Sequence, residues 1–148
     1  MLSVLLGLWL TSLAAAPIQL TFTTAAAAPV VKAGQTLKLF VDVTPRPKMH
    51  VYAPGAKDYI PIALEINSAG VRAGKLAYPA SQDLYFEPTK EHVPVFQSPF
   101  RLTKDVVIAS TAKPGTMYIT GVLKYQACDD TICYNPVTEP LSWTVTVK

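Results

Sequence analysis

The sequence predicts an all-β fold, specifically an immunoglobulin-like antiparallel β-sandwich. Apolar and polar residues alternate with a period of two along several segments, which is typical of strands with one buried face. Turn-forming Pro and Gly residues separate these segments, and about seven strands at such spacing favour a sandwich. No stretch of useful length has the helical period, because 25–28 is too short and is followed by Pro29.

The individual strands follow from this alternation in chain order. Their apolar positions are Ile18, Leu20 and Phe22 in the first strand, Leu37, Leu39, Val41 and Val43 in the second, Ile62, Leu64 and Ile66 in the third, and Leu141, Trp143, Val145 and Val147 in the last. Residues 100–109 and 116–126 are two further candidates, and 75–78 is a short one. The segment 79–99 is predicted to be irregular, and loops of this length are often functional.

Composition excludes several other classes of protein. The chain has 148 residues, of which 13 are Pro, 2 are Cys and 16% are charged. Half of the residues are apolar, which provides material for a core and argues against disorder. Two cysteines cannot support a disulfide-dense miniprotein, and scattered prolines disfavour a helical bundle. The net charge of +3 is too small to indicate a nucleic-acid partner.

The first 16 residues, MLSVLLGLWLTSLAAA, are predicted to be a secretory signal peptide. Cleavage is expected after Ala14 or Ala16, and residues 17–148 then form the single domain. No Lys or Arg precedes the apolar run, so an uncleaved membrane anchor is the alternative. The prediction is an exported, periplasmic protein, in a compartment where disulfides persist.

The candidate functional residues are Cys128 and Cys133, which are separated by four residues. If a hairpin turns between them, their Cα atoms lie about 4.5–5.5 Å apart, within reach of a disulfide. Closing so short a loop stabilises the fold by only about 2 kcal/mol. Counting by two places Cys128 on the same side as Gln126 and Lys124, which predicts an accessible sulfur. Both a redox-active disulfide and an inert hairpin disulfide are compatible with these residues.

Two acidic residues between the cysteines affect the predicted mechanism. Asp129 and Asp130 oppose formation of a thiolate, and no helix N-terminus is available to favour one. The pair is therefore suited to a relay disulfide that the activated thiol of a partner attacks.

At these residues the sequence resembles the N-terminal periplasmic domain of the thiol:disulfide interchange protein DsbD. The resemblance rests first on Tyr125-Gln-Ala-Cys-Asp-Asp130, followed by Cys133 and Pro136. Weaker matches are His50-Val51-Tyr52, Tyr78-Pro79-Ala80 and Val93-Pro94-Val95. The resemblance implies an immunoglobulin-like fold and electron transfer by disulfide exchange. The implied partners are thioredoxin-like or membrane thiol reductase proteins and oxidised periplasmic proteins, with no cofactor.

The resemblance also implies roles for individual residues. The mixed disulfide with a partner falls on Cys133, and Cys128 then resolves it. A cap loop shields the pair in that family, and the matching segment here contains Asp83, Tyr85 and Phe86, with Tyr85 or Phe86 as the shield. The adjacent acidic residues of the family loop are separated here by Leu84. The full family protein continues into membrane and thioredoxin-like domains, so this chain is expected to receive electrons in trans, to be a fragment, or to have a changed role.

Other site chemistries have weaker support in the sequence. His50 and His92 do not have metal-ligand spacing, so no metal is expected. No phosphate-binding loop or nucleophile elbow is present. Aromatic residues could line a binding face or only pack; they are Tyr52, Tyr59, Tyr85, Phe86 and Phe96. The second class of function is a non-catalytic exported interaction module whose disulfide is only structural.

Overall fold

The computed structural model describes residues 18–87 and 89–148 of the chain, and in this part twelve strands and no helix form. The strands are β1 (Leu20–Ala26), β2 (Val30–Val31), β3 (Thr36–Pro45), β4 (His50–Tyr52), β5 (Ala63–Ile66), β6 (Val71–Ala77), β7 (Gln82–Phe86), β8 (Glu91–Phe96), β9 (Phe100–Ile108), β10 (Gly115–Tyr125), β11 (Ala127–Cys128) and β12 (Val137–Val147). The predicted signal peptide lies outside the described residues. Within them, no helix is long and apolar enough to cross a membrane.

Two four-stranded sheets make the sandwich, with strand orders β1-β3-β9-β6 and β2-β12-β10-β5. All their pairings are antiparallel except the short parallel pair of β12 and β2. The alternate residues of β3, β9, β10 and β12 are buried and fill the main core, as the period of two requires. Trp143 of β12 lies in this core, and its indole N–H donates a hydrogen bond of 3.1 Å to the carbonyl oxygen of Phe40 in β3. The immunoglobulin-like fold class is therefore confirmed.

A third sheet, in the order β11-β4-β8-β7, was not predicted. It contains a hairpin of β7 and β8 within 79–99, so the prediction that this segment is irregular is wrong. Pro94 argues against a strand because it lacks an N–H group, yet its carbonyl oxygen accepts a 2.9 Å bond from the N–H of Ala53. Val93 and Val95 of β8 are buried beneath the sheet in a small second core.

Candidate functional site

The two cysteines face each other across the short hairpin that follows β11. Cys128 ends β11, and Cys133 pairs with it as an antiparallel bridge. Backbone hydrogen bonds flank the pair on both sides, from Asp129 to Ile132 and from Tyr134 to Ala127, each of 2.9 Å. The sulfur atoms form a disulfide, and the Cα atoms are 4.0 Å apart. The predicted hairpin and its disulfide are confirmed.

The two sulfur-bearing residues differ sharply in their access to solvent. Cys133 is exposed, whereas Cys128 is 0% exposed. The prediction that Cys128 is accessible is wrong, although its direction away from the main core is right. Ala127 belongs to the main core, and Cys128, on the opposite face, belongs to the second core under the third sheet. An external thiol therefore reaches the disulfide from the side of Cys133.

Tyr52 places its hydroxyl group against both sulfur atoms. The hydroxyl oxygen lies 3.0 Å from Cys128 Sγ and 3.4 Å from Cys133 Sγ, and it is the donor because disulfide sulfurs carry no hydrogen. The residue is buried (2% exposed), and the Tyr59 ring stacks on it at 4.2 Å. Burial raises the pKa of Tyr52 to about 12, with a smaller contribution from Tyr59. The hydroxyl therefore stays protonated near neutral pH and donates toward the sulfurs.

The sequence did not predict this role for Tyr52, which was only one of five aromatic residues that could bind or pack. The strand that carries it, β4, has three residues, all buried, so it shows no alternation. The one signal in the sequence is the tripeptide His50-Val51-Tyr52, which contributes to the family resemblance but does not by itself indicate a contact with sulfur.

His50 lies directly across from Cys128 in the pairing of β4 with β11. It is 3% exposed, its Nε2 atom has no hydrogen-bond partner among the described residues, and its ring meets the Tyr52 ring edge-on at 5.5 Å. Burial lowers the pKa of His50 below its ordinary value near 6.5, although Asp130 and Asp129 raise it in part. The imidazole is consequently neutral at neutral pH.

The buried imidazole makes stability depend on pH. In the unfolded chain the imidazole of His50 takes up a proton at a higher pH than it does in the folded chain. The contribution of the buried neutral imidazole to the free energy of unfolding is therefore complete above about pH 6.5, the ordinary pKa of histidine, and is lost as the pH falls below that value. We expect the free energy of unfolding of the oxidised protein to decrease from pH 7 to pH 5, and this decrease to become smaller in His50→Gln. Urea denaturation at each pH measures it. The exposed histidine provides the control, His92→Gln, and an unchanged decrease in His50→Gln would contradict the assignment.

The predicted cap segment is strand β7 with the turn that follows it. Leu84 packs against the second core, which contains Cys128, and also borders a cavity of about 180 Å³ with His50 and Asp130. Tyr85 is 47% exposed, and its ring lies 5.1 Å from the His92 ring. The carboxylate of Asp83 forms a hydrogen bond with His92 on the exposed face of the hairpin, with 2.6 Å between Oδ2 of Asp83 and Nδ1 of His92.

Leu84 is the residue of β7 that packs against the second core, to which Cys128 belongs. Phe86 is half-buried and does not belong to the second core. Shielding by Tyr85 or Phe86 and modulation by Asp83 remain predictions.

Metal chemistry gains no support from the described part of the chain. No group of three or more His, Cys, Asp or Glu side chains there could hold an ion. His50 is buried beneath the third sheet, whereas His92 points to solvent and is bonded to Asp83.

The fold and the site together define a class of protein. It is an immunoglobulin-like domain with a disulfide in a hairpin, and one cysteine of that disulfide is exposed while the other is buried. The family model described as thiol:disulfide interchange protein DsbD, N-terminal, matches residues 19–143. The chain belongs to this family. A search of curated protein sequences finds no match.

Two solved structures show the same fold. The reduced N-terminal domain of DsbD from Neisseria meningitidis is 16% identical with a TM-score of 0.50, over 83% of this chain and 86% of that one. The N-terminal periplasmic domain of ScsB from Proteus mirabilis is 10% identical with a TM-score of 0.57, over 86% of this chain. The matched region spans 46% of the solved ScsB chain, so this chain corresponds to about half of it.

Proposed function

We propose that this domain relays electrons by thiol–disulfide exchange through Cys128 and Cys133. The observation that carries the proposal is the unequal exposure of the two cysteines, together with a hydroxyl donor placed against both sulfurs. A disulfide that only reinforced the hairpin would need neither feature. Membership of the DsbD N-terminal family supports the same chemistry.

In the first step, a thiolate of the electron donor attacks Cys133 Sγ. A sulfur–sulfur bond forms between the donor and Cys133, the bond between Cys133 and Cys128 breaks, and its electron pair goes to Cys128 Sγ. The Tyr52 hydroxyl, 3.0 Å from that sulfur, donates a hydrogen bond to the thiolate as it forms. A second thiolate of the donor then attacks the donor sulfur, which leaves the donor oxidised and both cysteines of this domain reduced.

Delivery of the electrons uses the same atoms in reverse. Cys133 attacks the disulfide of an oxidised protein and forms a mixed disulfide, while the other sulfur of that protein leaves as a thiolate. Cys128 then attacks Cys133 Sγ, and the second sulfur of the substrate leaves reduced. Cys133 is thus the residue that bonds to partners, and Cys128 is the resolving residue.

We infer the partners from membership of the DsbD N-terminal family together with this chemistry. The donor is a thioredoxin-like protein or a membrane thiol reductase, and the acceptors are oxidised proteins of the periplasm, to which the predicted signal peptide directs the domain. The domain acts as a component of a protein-disulfide reductase and uses no cofactor, because the electrons pass between sulfur atoms.

The reduction potential tests this function against a structural disulfide in an exported interaction module. We expect a value above about −300 mV, the range of bonds that exchange with partners, whereas structural disulfides lie below it. Equilibration with glutathione and dithiothreitol buffers, followed by alkylation and mass spectrometry, gives the value. The double variant Cys128→Ala/Cys133→Ala is the control for alkylation. A potential below that limit would favour the interaction module.

A further inference from the structure

The carboxylate of Asp129 is folded back into the hairpin loop that joins the two cysteines. Its Oδ1 atom accepts hydrogen bonds from the N–H and the hydroxyl of Thr131, both of 2.7 Å, and from the N–H of Ile132 at 2.8 Å. Its Oδ2 atom accepts a bond of 3.0 Å from the hydroxyl of Tyr134. Because Cys133 lies between Ile132 and Tyr134, the carboxylate binds the chain on both sides of the exposed cysteine.

None of these four bonds, and neither of the two backbone bonds that flank the cysteines, is made to a sulfur atom, so opening the disulfide removes no partner from them. We propose that Asp129 is a positioning residue that holds Cys133 opposite Cys128 while the disulfide is open. Its use in the cell rests on the proposed function, since only a disulfide that opens needs a loop that stays in place.

The consequence is a faster and more favourable closure of the bond. Closure requires the Cys128 thiolate to attack Cys133 Sγ in the mixed disulfide. The new bond forms between the two cysteines, and the partner sulfur leaves with the electron pair as a thiolate, which takes a proton from water. A loop that keeps the sulfurs together raises their effective concentration, because little conformational freedom remains to be lost.

The neighbouring Asp130 separates the effect of these bonds from the effect of charge. Both residues are acidic and lie in the same loop, but the side chain of Asp130 makes no hydrogen bond among the described residues, whereas Asp129 accepts four. The bonds from Ile132 and Thr131 also hold the pKa of Asp129 well below its usual range, so the carboxylate stays ionised at any pH at which exchange occurs.

Equilibration with dithiothreitol measures the effective concentration of the two thiols in the wild type and three variants. We expect Asp129→Ala to lower it about tenfold, which raises the reduction potential by about 30 mV. Asp129→Asn keeps an oxygen that accepts from Thr131 and Ile132, so we expect it to stay within about threefold of the wild type. Asp130→Asn removes an equal charge and no bond, and we expect a change of less than about twofold.

Two results would overturn the proposal. An unchanged value in Asp129→Ala would mean that the backbone bonds alone hold the loop. Losses in Asp129→Asn and Asp130→Asn that are both as large as the loss in Asp129→Ala would mean that charge decides. If Asp129→Ala does not fold, Tyr134→Phe removes only the Oδ2 bond, and a smaller loss of effective concentration supports the proposal while none contradicts it. The measurement needs no partner protein, so a potential too low for exchange would reject the proposed function while the order of the variants still tests Asp129.

Discussion

Cys128→Ala is expected to leave a domain that captures disulfide-containing partners through Cys133, whereas Cys133→Ala is expected to capture none. In the first variant the remaining thiol is exposed, and in the second it is 0% exposed beneath the third sheet. Reaction with a disulfide reagent should therefore be at least about 100-fold faster in Cys128→Ala, since access limits the reaction of a thiol.

The measurement has two parts. Reaction with 5,5′-dithiobis(2-nitrobenzoate) follows the released thiolate by its absorbance, and circular dichroism establishes that both variants are folded. A thioredoxin-like protein should then remain bound to Cys128→Ala through a bond that dithiothreitol releases. Equal reaction rates in the two folded variants would contradict the assigned roles, and failure to retain such a protein would favour an inert disulfide.

The strands that border the main core were predictable because each presents one face to apolar side chains and the other to water. Strands β3, β10 and β12 therefore carry the period of two in their sequences. Strands β4, β7 and β8 show no such regular alternation in their sequences, and the sheet that they form covers a second, smaller core. A proline also interrupts β8, and all three residues of β4 are buried.

The candidate site was predictable in its covalent chemistry and not in its surroundings. The four-residue spacing of Cys128 and Cys133 predicted the hairpin and the disulfide correctly, because loop length determines which residues face each other. Periodicity also gave the correct face for Cys128. It could not show what covers that face, because Val95 and Tyr52 come from strands far away in sequence. The sequence predicted that the disulfide is accessible at Cys128. In the structure Cys133 is exposed and Cys128 is buried.

Tyr52→Phe is expected to slow reduction of the disulfide roughly ten- to a hundredfold while leaving the fold intact. A hydrogen bond to a charged group contributes about 1.5–3 kcal/mol, and about 1.4 kcal/mol corresponds to tenfold in rate. The bond gains most of its strength as Cys128 Sγ becomes a thiolate, so it stabilises the transition state more than the disulfide. Phenylalanine keeps the stacking on Tyr59 and loses only the hydroxyl.

The rate of reduction by dithiothreitol, followed by acid quench and alkylation, measures this effect. Tyr59→Phe is the matched control, because it also loses a phenolic hydroxyl but no bond to sulfur is formed by that group among the described residues. The pKa of Tyr52, raised to about 12 chiefly by burial, adds a second criterion. The ratio of the wild-type rate to the Tyr52→Phe rate should stay constant from pH 6 to pH 10, since the donor keeps its proton throughout. If folded Tyr52→Phe is reduced as fast as the wild type, the hydroxyl takes no part in the reaction. Burial of Cys128 would then be what determines how readily its sulfur leaves as a thiolate.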